Sequence, residues 1–243
     1  MPEFEDKSVL VVGGSSGIGN GIAQAFKARG AEVAVWGTRP SASDYKGVEG
    51  SDLSGVTYHS VDVVNREAVD EVTKSIKALD VLVLCQGTVR YNREEFEREG
   101  WDVVMDVNIN SVMDVARALK PALAERHGSV IIVSSVAGFN ATIGTPAYAA
   151  SKHAAVGLTK TLGAAWARDG IRVNGLAPGL VETKLTHVTT KNEKRLTGAL
   201  RSIPQGRMGT PQDMAGVVLF LASPMASYVT GQTIIADGGL SLQ

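Results

Sequence analysis

Val9-Leu10-Val11-Val12-Gly13-Gly14-Ser15-Ser16-Gly17-Ile18-Gly19 is the stretch whose reading decides the fold. Four consecutive apolar residues read as a strand buried on both faces. The run breaks into glycines and serines, and a helix follows, with Ile22, Ala25 and Phe26 on one face before Gly30. Glycine permits a positive-φ turn and removes the side chain where a phosphate must approach the backbone. A helix N-terminus then offers free N–H groups and a positive dipole end to a pyrophosphate. Gly13, Ser15, Ser16, Gly17, Ile18 and Gly19 are therefore candidate dinucleotide contacts. The competing reading is a tight strand–helix turn that binds nothing.

The same rhythm runs outward from this turn. Further strands are expected at Glu32–Trp36, Val56–His59, Asp80–Cys85, Val130–Val133, Arg172–Leu176 and Gln232–Ala236. Helical periodicity covers Asn65–Lys77, Glu94–Glu125 as one long or two abutting helices, Pro146–Arg168 and Pro211–Leu221. Strand and helix alternate, and the strands are continuous apolar runs. Both facts argue for an α/β fold: a doubly wound parallel sheet of about seven strands with helices on both faces. No repeat or linker divides the chain, so residues 1–243 are expected to form a single domain. One segment breaks the pattern. Leu180 to Gly206 is polar, with Lys184, Lys191, Lys194, Arg195 and Arg201, yet carries Leu185, Leu196, Leu200 and Ile203. It reads either as an active-site lid or as a solvated surface helix.

Composition narrows the partners. The chain is 44% hydrophobic and 20% charged with a net charge of −1, ordinary for a globular domain and not advertising nucleic acid. The lone cysteine, Cys85, forbids an intrachain disulfide and suits a reducing compartment. No apolar run reaches membrane-spanning length, and the acidic start does not read as a signal peptide. A cytoplasmic protein without membrane or nucleic-acid partners is expected. Four histidines and one cysteine form no clustered ligand set, so no metal is expected either.

Two local features bear on chemistry. Dinucleotide sites often place an acid at the end of the second strand to hold the ribose 2′-hydroxyl. Here that end reads Val35-Trp36-Gly37-Thr38-Arg39, with no acid. An arginine can pair with a 2′-phosphate, which favours NADP(H) over NAD(H); otherwise Arg39 is a solvated loop residue. The second feature is Tyr148-Ala149-Ala150-Ser151-Lys152, a tyrosine and lysine on one helical face. An ammonium beside a phenol lowers the phenol pKa and equips it to exchange protons with a carbonyl or an alcohol. Alone, the pair is an ordinary exposed helix pair.

It is not alone. Gly128–Gly138 ends a strand at Ser134-Ser135, and strand C-termini form the ligand crevice of an open parallel sheet. From Lys7 to Gly239 the chain resembles the short-chain dehydrogenases/reductases, whose fold is Rossmann-type. The resemblance rests on Gly13, Gly17 and Gly19 in the glycine turn, on Asp62-Val63 at the adenine and on Asn108 within Asp106-Val107-Asn108-Ile109. It rests further on Ser135, Tyr148 and Lys152, on Arg172-Val173-Asn174 followed by Pro178-Gly179 and Thr183, and on Asp237-Gly238-Gly239. It implies a tetrad of Asn108, Ser135, Tyr148 and Lys152. It implies cofactor contacts at Thr38, Arg39, Asp62, Val63, Cys85, Gly87, Val107, Pro178, Gly179, Val181 and Thr183, besides Tyr148, Lys152 and the glycine turn.

The implied reaction is hydride transfer between a nicotinamide and a carbonyl or secondary-alcohol substrate. Tyr148 is the implied acid/base, and Lys152 lowers its pKa and binds the ribose. Ser135 holds the substrate oxygen, and Asn108 holds a water that relays protons. Two positions depart from the family pattern: Val12 replaces a threonine, and Leu84-Cys85-Gln86-Gly87 replaces Asn-Asn-Ala-Gly. The second departure admits an alternative, a nucleotide-binding regulator without turnover. Enoyl reduction is a further alternative, disfavoured by the four-residue tyrosine–lysine spacing. Apolar walls are expected from Phe139, Ile143 and Pro146. A 3-oxoacyl thioester, a ketone or secondary alcohol, and a steroid-like ketone all remain open as substrates. The family also implies a homotetramer or homodimer.

Overall fold

The computed structural model describes residues 4–242, with Val188 described by its backbone alone. Seven parallel strands form one sheet: β1 (Ser8–Val12), β2 (Glu32–Gly37), β3 (Thr57–Ser60), β4 (Val81–Leu84), β5 (Ser129–Val133), β6 (Arg172–Pro178) and β7 (Thr233–Ala236). Their order across the sheet is β3-β2-β1-β4-β5-β6-β7. The helices are α1 (Gly17–Lys27), α2 (Arg66–Thr73), α3 (Arg98–Met105), α4 (Ser111–Glu125), α5 (Pro146–Trp166), α6 (His187–Thr190), α7 (Glu193–Arg201) and α8 (Pro211–Ala222).

The continuous apolar runs have a simple cause. Successive side chains along a strand point to opposite faces, and here both faces are covered. Val9, Val11, Val33, Val35, Val81, Val83, Ile131 and Val133 pack with Ile22 and Phe26 of α1 and Met214 and Val218 of α8. Leu10, Val12, Trp36, Leu82, Leu84, Val130 and Ile132 pack instead against Val69 of α2, Leu119 of α4 and Leu162 of α5. Neighbours β1 and β4 lie far apart in sequence, and their onward connections run to opposite sides. That switch opens a crevice at the strand C-termini.

Three expectations need correction, and that for Glu94–Glu125 is narrowed to two helices. Strand and helix do not alternate throughout, because β2 and β3 are joined by a single 3-10 turn at Ala42–Tyr45. Pro40, Gly47, Gly50 and Gly55 interrupt that connection, and no apolar stripe runs through it. Helix α2 stops at Thr73 rather than Lys77: Lys74 N–H bonds back to Glu71 and Ile76 N–H to Thr73, tightening the chain out of the helix. The Glu94–Glu125 stretch is a 3-10 turn at Glu94–Phe96, then α3, a π-helical turn at Asp106–Asn110 and α4. β3 is a largely exposed edge strand of polar sequence rather than an apolar run.

Candidate active site

A cleft of about 410 Å³ lies along the C-terminal ends of β1, β4, β5 and β6. The glycine turn forms one end. Gly13 has φ +75°, and a Cβ at Gly19 would sit 2.2 Å from the Gly13 carbonyl oxygen, so the turn closes only without side chains. The N-cap of α1, Ser16, is extended, its hydroxyl makes no capping bond, and the first turn holds no acid. These features suit the phosphates of a dinucleotide. Of the cofactor residues expected from sequence, all but Arg39 line this cleft.

Arg39 is held elsewhere. Its guanidinium donates to the Asp44 carbonyl and stacks over the Tyr45 ring at 4.8 Å, while the Tyr58 hydroxyl donates to its carbonyl. In its place the β2–β3 connection brings Glu49 and Gly50 into the cleft wall. This connection is strapped to α1. Asn20 Nδ2 donates to the Asp52 carbonyl at 2.7 Å, and its Oδ1 accepts Asp52 N–H at 2.9 Å. Gln24 Nε2 donates to the Asp52 carbonyl at 2.8 Å and Lys27 Nζ to Ser54 at 2.8 Å. Gly17 N–H, in the first turn of α1, donates to the Gly50 carbonyl at 2.8 Å. Sequence reasoning missed Glu49 and Gly50. The one available signal was the polar spacing of Asn20, Gln24 and Lys27, which reads equally well as a solvated helix face.

The four residues of the expected tetrad come from three elements. Ser135 follows β5, and its Oγ accepts Ala137 N–H at 3.1 Å. Tyr148 and Lys152 lie on α5 and line the cleft with Ser135. Lys152 is 5% exposed, and its Nζ donates to the Val133 carbonyl at 3.0 Å. Burial drives the ammonium down to about 8. Its nitrogen lies 5.6 Å from the Tyr148 ring centre.

Tyr148 does not show the lowering expected from its neighbour. Burial pushes the phenol up, a hydrogen bond with Ser135 pulls it back, and Tyr91, Glu95 and Cys85 add to the rise. Desolvation of the phenol is the largest cause, and it outweighs the one lowering contact, with Ser135. Burial likewise lifts the Cys85 thiol to about 11.

Asn108 stands behind the cleft wall, within the π-helical turn, and is 1% exposed. Its Oδ1 accepts Thr88 N–H at 2.7 Å, and its Nδ2 donates to the Thr88 carbonyl at 2.9 Å and to Ser151 Oγ at 3.1 Å. Both amide protons are thus committed, and one Oδ1 lone pair is left. At the far end, Glu182 to His187 of the predicted lid segment line the cleft. The base of that segment is pinned by Gly209 N–H to the Leu180 carbonyl at 2.9 Å and Glu182 N–H to Gly209 at 3.1 Å. Ile203 is buried, whereas Leu185 is 48% exposed.

A family model described as enoyl-(acyl carrier protein) reductase matches residues 12–241. The 2-dehydro-3-deoxy-D-gluconate 5-dehydrogenase of Bacillus subtilis is 36% identical over 241 residues, 97% of this chain and 95% of its own. A 3-oxoacyl-acyl-carrier-protein reductase of Thermotoga maritima is 38% identical over 244 residues, 98% of each chain. A solved gluconate 5-dehydrogenase from Burkholderia cenocepacia, in complex with NADP and tartrate, has a TM-score of 0.88 at 31% identity and covers 99% of this chain and 97% of its own.

Proposed function

Because the chain belongs to the short-chain dehydrogenase/reductase family of NAD(P)-dependent oxidoreductases, we propose that it interconverts a carbonyl and a secondary alcohol with Tyr148 as the proton-transfer group. The observation that carries this reading is the meeting of Ser135, Tyr148 and Lys152 in the same cleft as the glycine turn. The bound cofactor supplies or accepts the hydride.

The chain's own groups do the rest. In the reducing direction the Tyr148 hydroxyl gives its proton to the substrate oxygen, and the Ser135 hydroxyl donates a hydrogen bond to that oxygen as charge develops. The raised phenol pKa keeps the proton in place until then. Lys152 would supply a donor to the cofactor ribose, and its positive charge favours the phenolate once formed. Asn108 anchors the Thr88 segment, and its remaining lone pair is available to a proton-relay water.

For the cofactor we favour NADP(H) over NAD(H). β2 runs out into Gly37-Thr38-Arg39 without an acid, although Glu49 faces the same cleft. We read residues 180–206 as the substrate lid, because their first turns wall the cleft. A homotetramer, or a homodimer, is our reading of the quaternary state. It is supported by exposed Phe96, Trp101 and Met113 around α3 and α4, and by Met225 and Tyr228 near β7. Light scattering that finds a stable monomer would count against it. Among the described residues no helix is long and apolar enough to cross a membrane. A cytoplasmic setting rests on the single cysteine.

The test is NAD(P)H oxidation against a panel led by 3-oxoacyl thioesters and keto sugar acids, followed by simple ketones and steroid-like ketones, with each cofactor. Tyr148→Phe is expected to abolish turnover while leaving cofactor binding nearly intact. Substantial activity in that variant would overturn the mechanism. Cofactor binding without turnover on any substrate would favour the nucleotide-binding regulator.

A further inference from the structure

Glu95 is a carboxylate with 1% exposure, 53 residues from Tyr148 in sequence and in direct contact with it. Its Oε2 accepts the backbone N–H of Tyr148 at 2.8 Å, and its Oε1 accepts the backbone N–H of Arg90 at 2.9 Å. Tyr148 is the third residue of α5, where a helix N–H has no partner within its own helix. The residue placed to cap it locally, Thr145, makes no capping bond, and its hydroxyl goes to Thr142 instead. A distant buried carboxylate therefore does what a serine or threonine does at most helix starts.

Burying a charge is costlier than a local cap, and the backbone around Glu95 carries further cost. Asn92 (φ 55°) and Arg93 (φ 66°) sit consecutively in the left-handed region, the second with a long side chain. They turn the chain into the short 3-10 segment that aims Glu95 inward. That segment packs so tightly on α3 that a Cβ at Gly100 would lie 2.2 Å from the Glu94 carbonyl oxygen. A plain cap would not call for this arrangement. What a local cap cannot supply is the second bond, to Arg90. Thr88, two residues before Arg90, is held by Asn108, and the Tyr91 hydroxyl donates to Leu185 of the lid segment at 2.8 Å.

We propose that Glu95 is the positioning residue of Tyr148: its carboxylate clamps the Tyr148 and Arg90 N–H groups together. The helix turn carrying the proton-transfer hydroxyl and the Thr88–Tyr91 segment then move as one piece. This rests on the reading of Tyr148 as the proton-transfer group. The geometry has an electrostatic consequence. The groups facing the phenol are Ser135 after β5, Cys85 after β4, Tyr91 and Glu95 on the β4–α3 connection and Lys152 on α5; Lys184 and His187 of the lid segment line the same cleft. A negative charge among them favours the protonated phenol.

Three measurements test the clamp. Glu95→Gln keeps the size but sets an amide N–H against a backbone N–H and removes the charge. Its kcat is expected to fall by about 10- to 100-fold with cofactor affinity retained, and the alkaline limb of carbonyl reduction is expected to move to lower pH. Glu95→Asp keeps the charge but loses reach, so kcat falls and the limb stays. Equal losses in both variants with no movement of the limb would reduce Glu95 to a structural cap and overturn the proposal. Amide hydrogen exchange in the unmodified protein needs no variant: the Tyr148 and Arg90 amides are expected to be protected together. Exchange of the Tyr148 amide at the rate of an unbonded helix-start amide would overturn it. Activity surviving in Tyr148→Phe would sink the proton-transfer reading, while protection of the amide at position 148 in that variant would still report the clamp.

Discussion

Lys152→Met is expected to stabilise the protein at neutral pH while disabling it. Lys152 is 5% exposed, and burial lowers its ammonium from 10.5 to about 8. Below pH 8 the lysine is protonated both folded and unfolded, so the full penalty applies. At ~1.4 kcal/mol per pH unit, that drop corresponds to about 3 kcal/mol. From pH 8 to 10.5 the unfolded chain holds a proton that the folded chain lacks, so stability climbs with pH and the penalty is gone above that window. Methionine is of similar length and apolar, and substituting it forfeits the bond to the Val133 carbonyl, worth about 1 kcal/mol net.

The balance is a gain of about 2 kcal/mol at pH 7, or roughly 4–8 °C in Tm for a chain of this size. Above pH 10.5 the sign reverses, leaving the unmodified protein ahead by about 1 kcal/mol. Urea unfolding of both proteins at equal concentration across pH 6.5 to 10.5 (about the titration window) reads the difference directly. A variant already less stable at pH 7, or a difference that stays flat with pH, would refute the buried-ammonium reasoning. Turnover should fall at every pH, as expected where strain is kept for function.

The remaining expectations concern the cofactor end and the lid. Gly19→Ala places a methyl 2.2 Å from the Gly13 carbonyl oxygen, so isothermal titration should find cofactor binding lost; normal affinity would mean that the turn yields. Glu49→Gln removes a carboxylate from the cleft wall and should tighten NADP(H) relative to NAD(H). An unchanged ratio in direct binding assays would place Glu49 away from the 2′ position. Tyr91→Phe removes the bond to the Leu185 carbonyl and should raise KM more than it lowers kcat, with unaltered steady-state constants counting against a lid.

By itself the sequence determined the architecture and the reaction class. Strand burial on both faces demands continuous apolar runs, and the pairs Val9/Leu10 and Val83/Leu84 already encode two faces that separate helices cover. A glycine turn between a strand and a helix is equally local, because its steric requirement is met within a few residues. Asn108, Ser135, Tyr148 and Lys152 were legible as a set only through the family resemblance, since the tyrosine–lysine pair alone is an ordinary helix pair.

Only the tertiary structure decided which groups face the cleft. Arg39 was expected in it and is held outside by Asp44 and Tyr45; Glu49 arrives instead because Asn20 holds Asp52, 32 residues away. Asn108 turned out to stand behind the wall, with its amide protons committed to Thr88 and Ser151. Glu95, an acid among acids in Arg93-Glu94-Glu95-Phe96-Glu97, was invisible until the fold brought it to Tyr148. The reason is physical. Hydrophobic periodicity and turn sterics are written in neighbouring residues, whereas the partner of a buried polar group is chosen by packing between segments that share no local pattern.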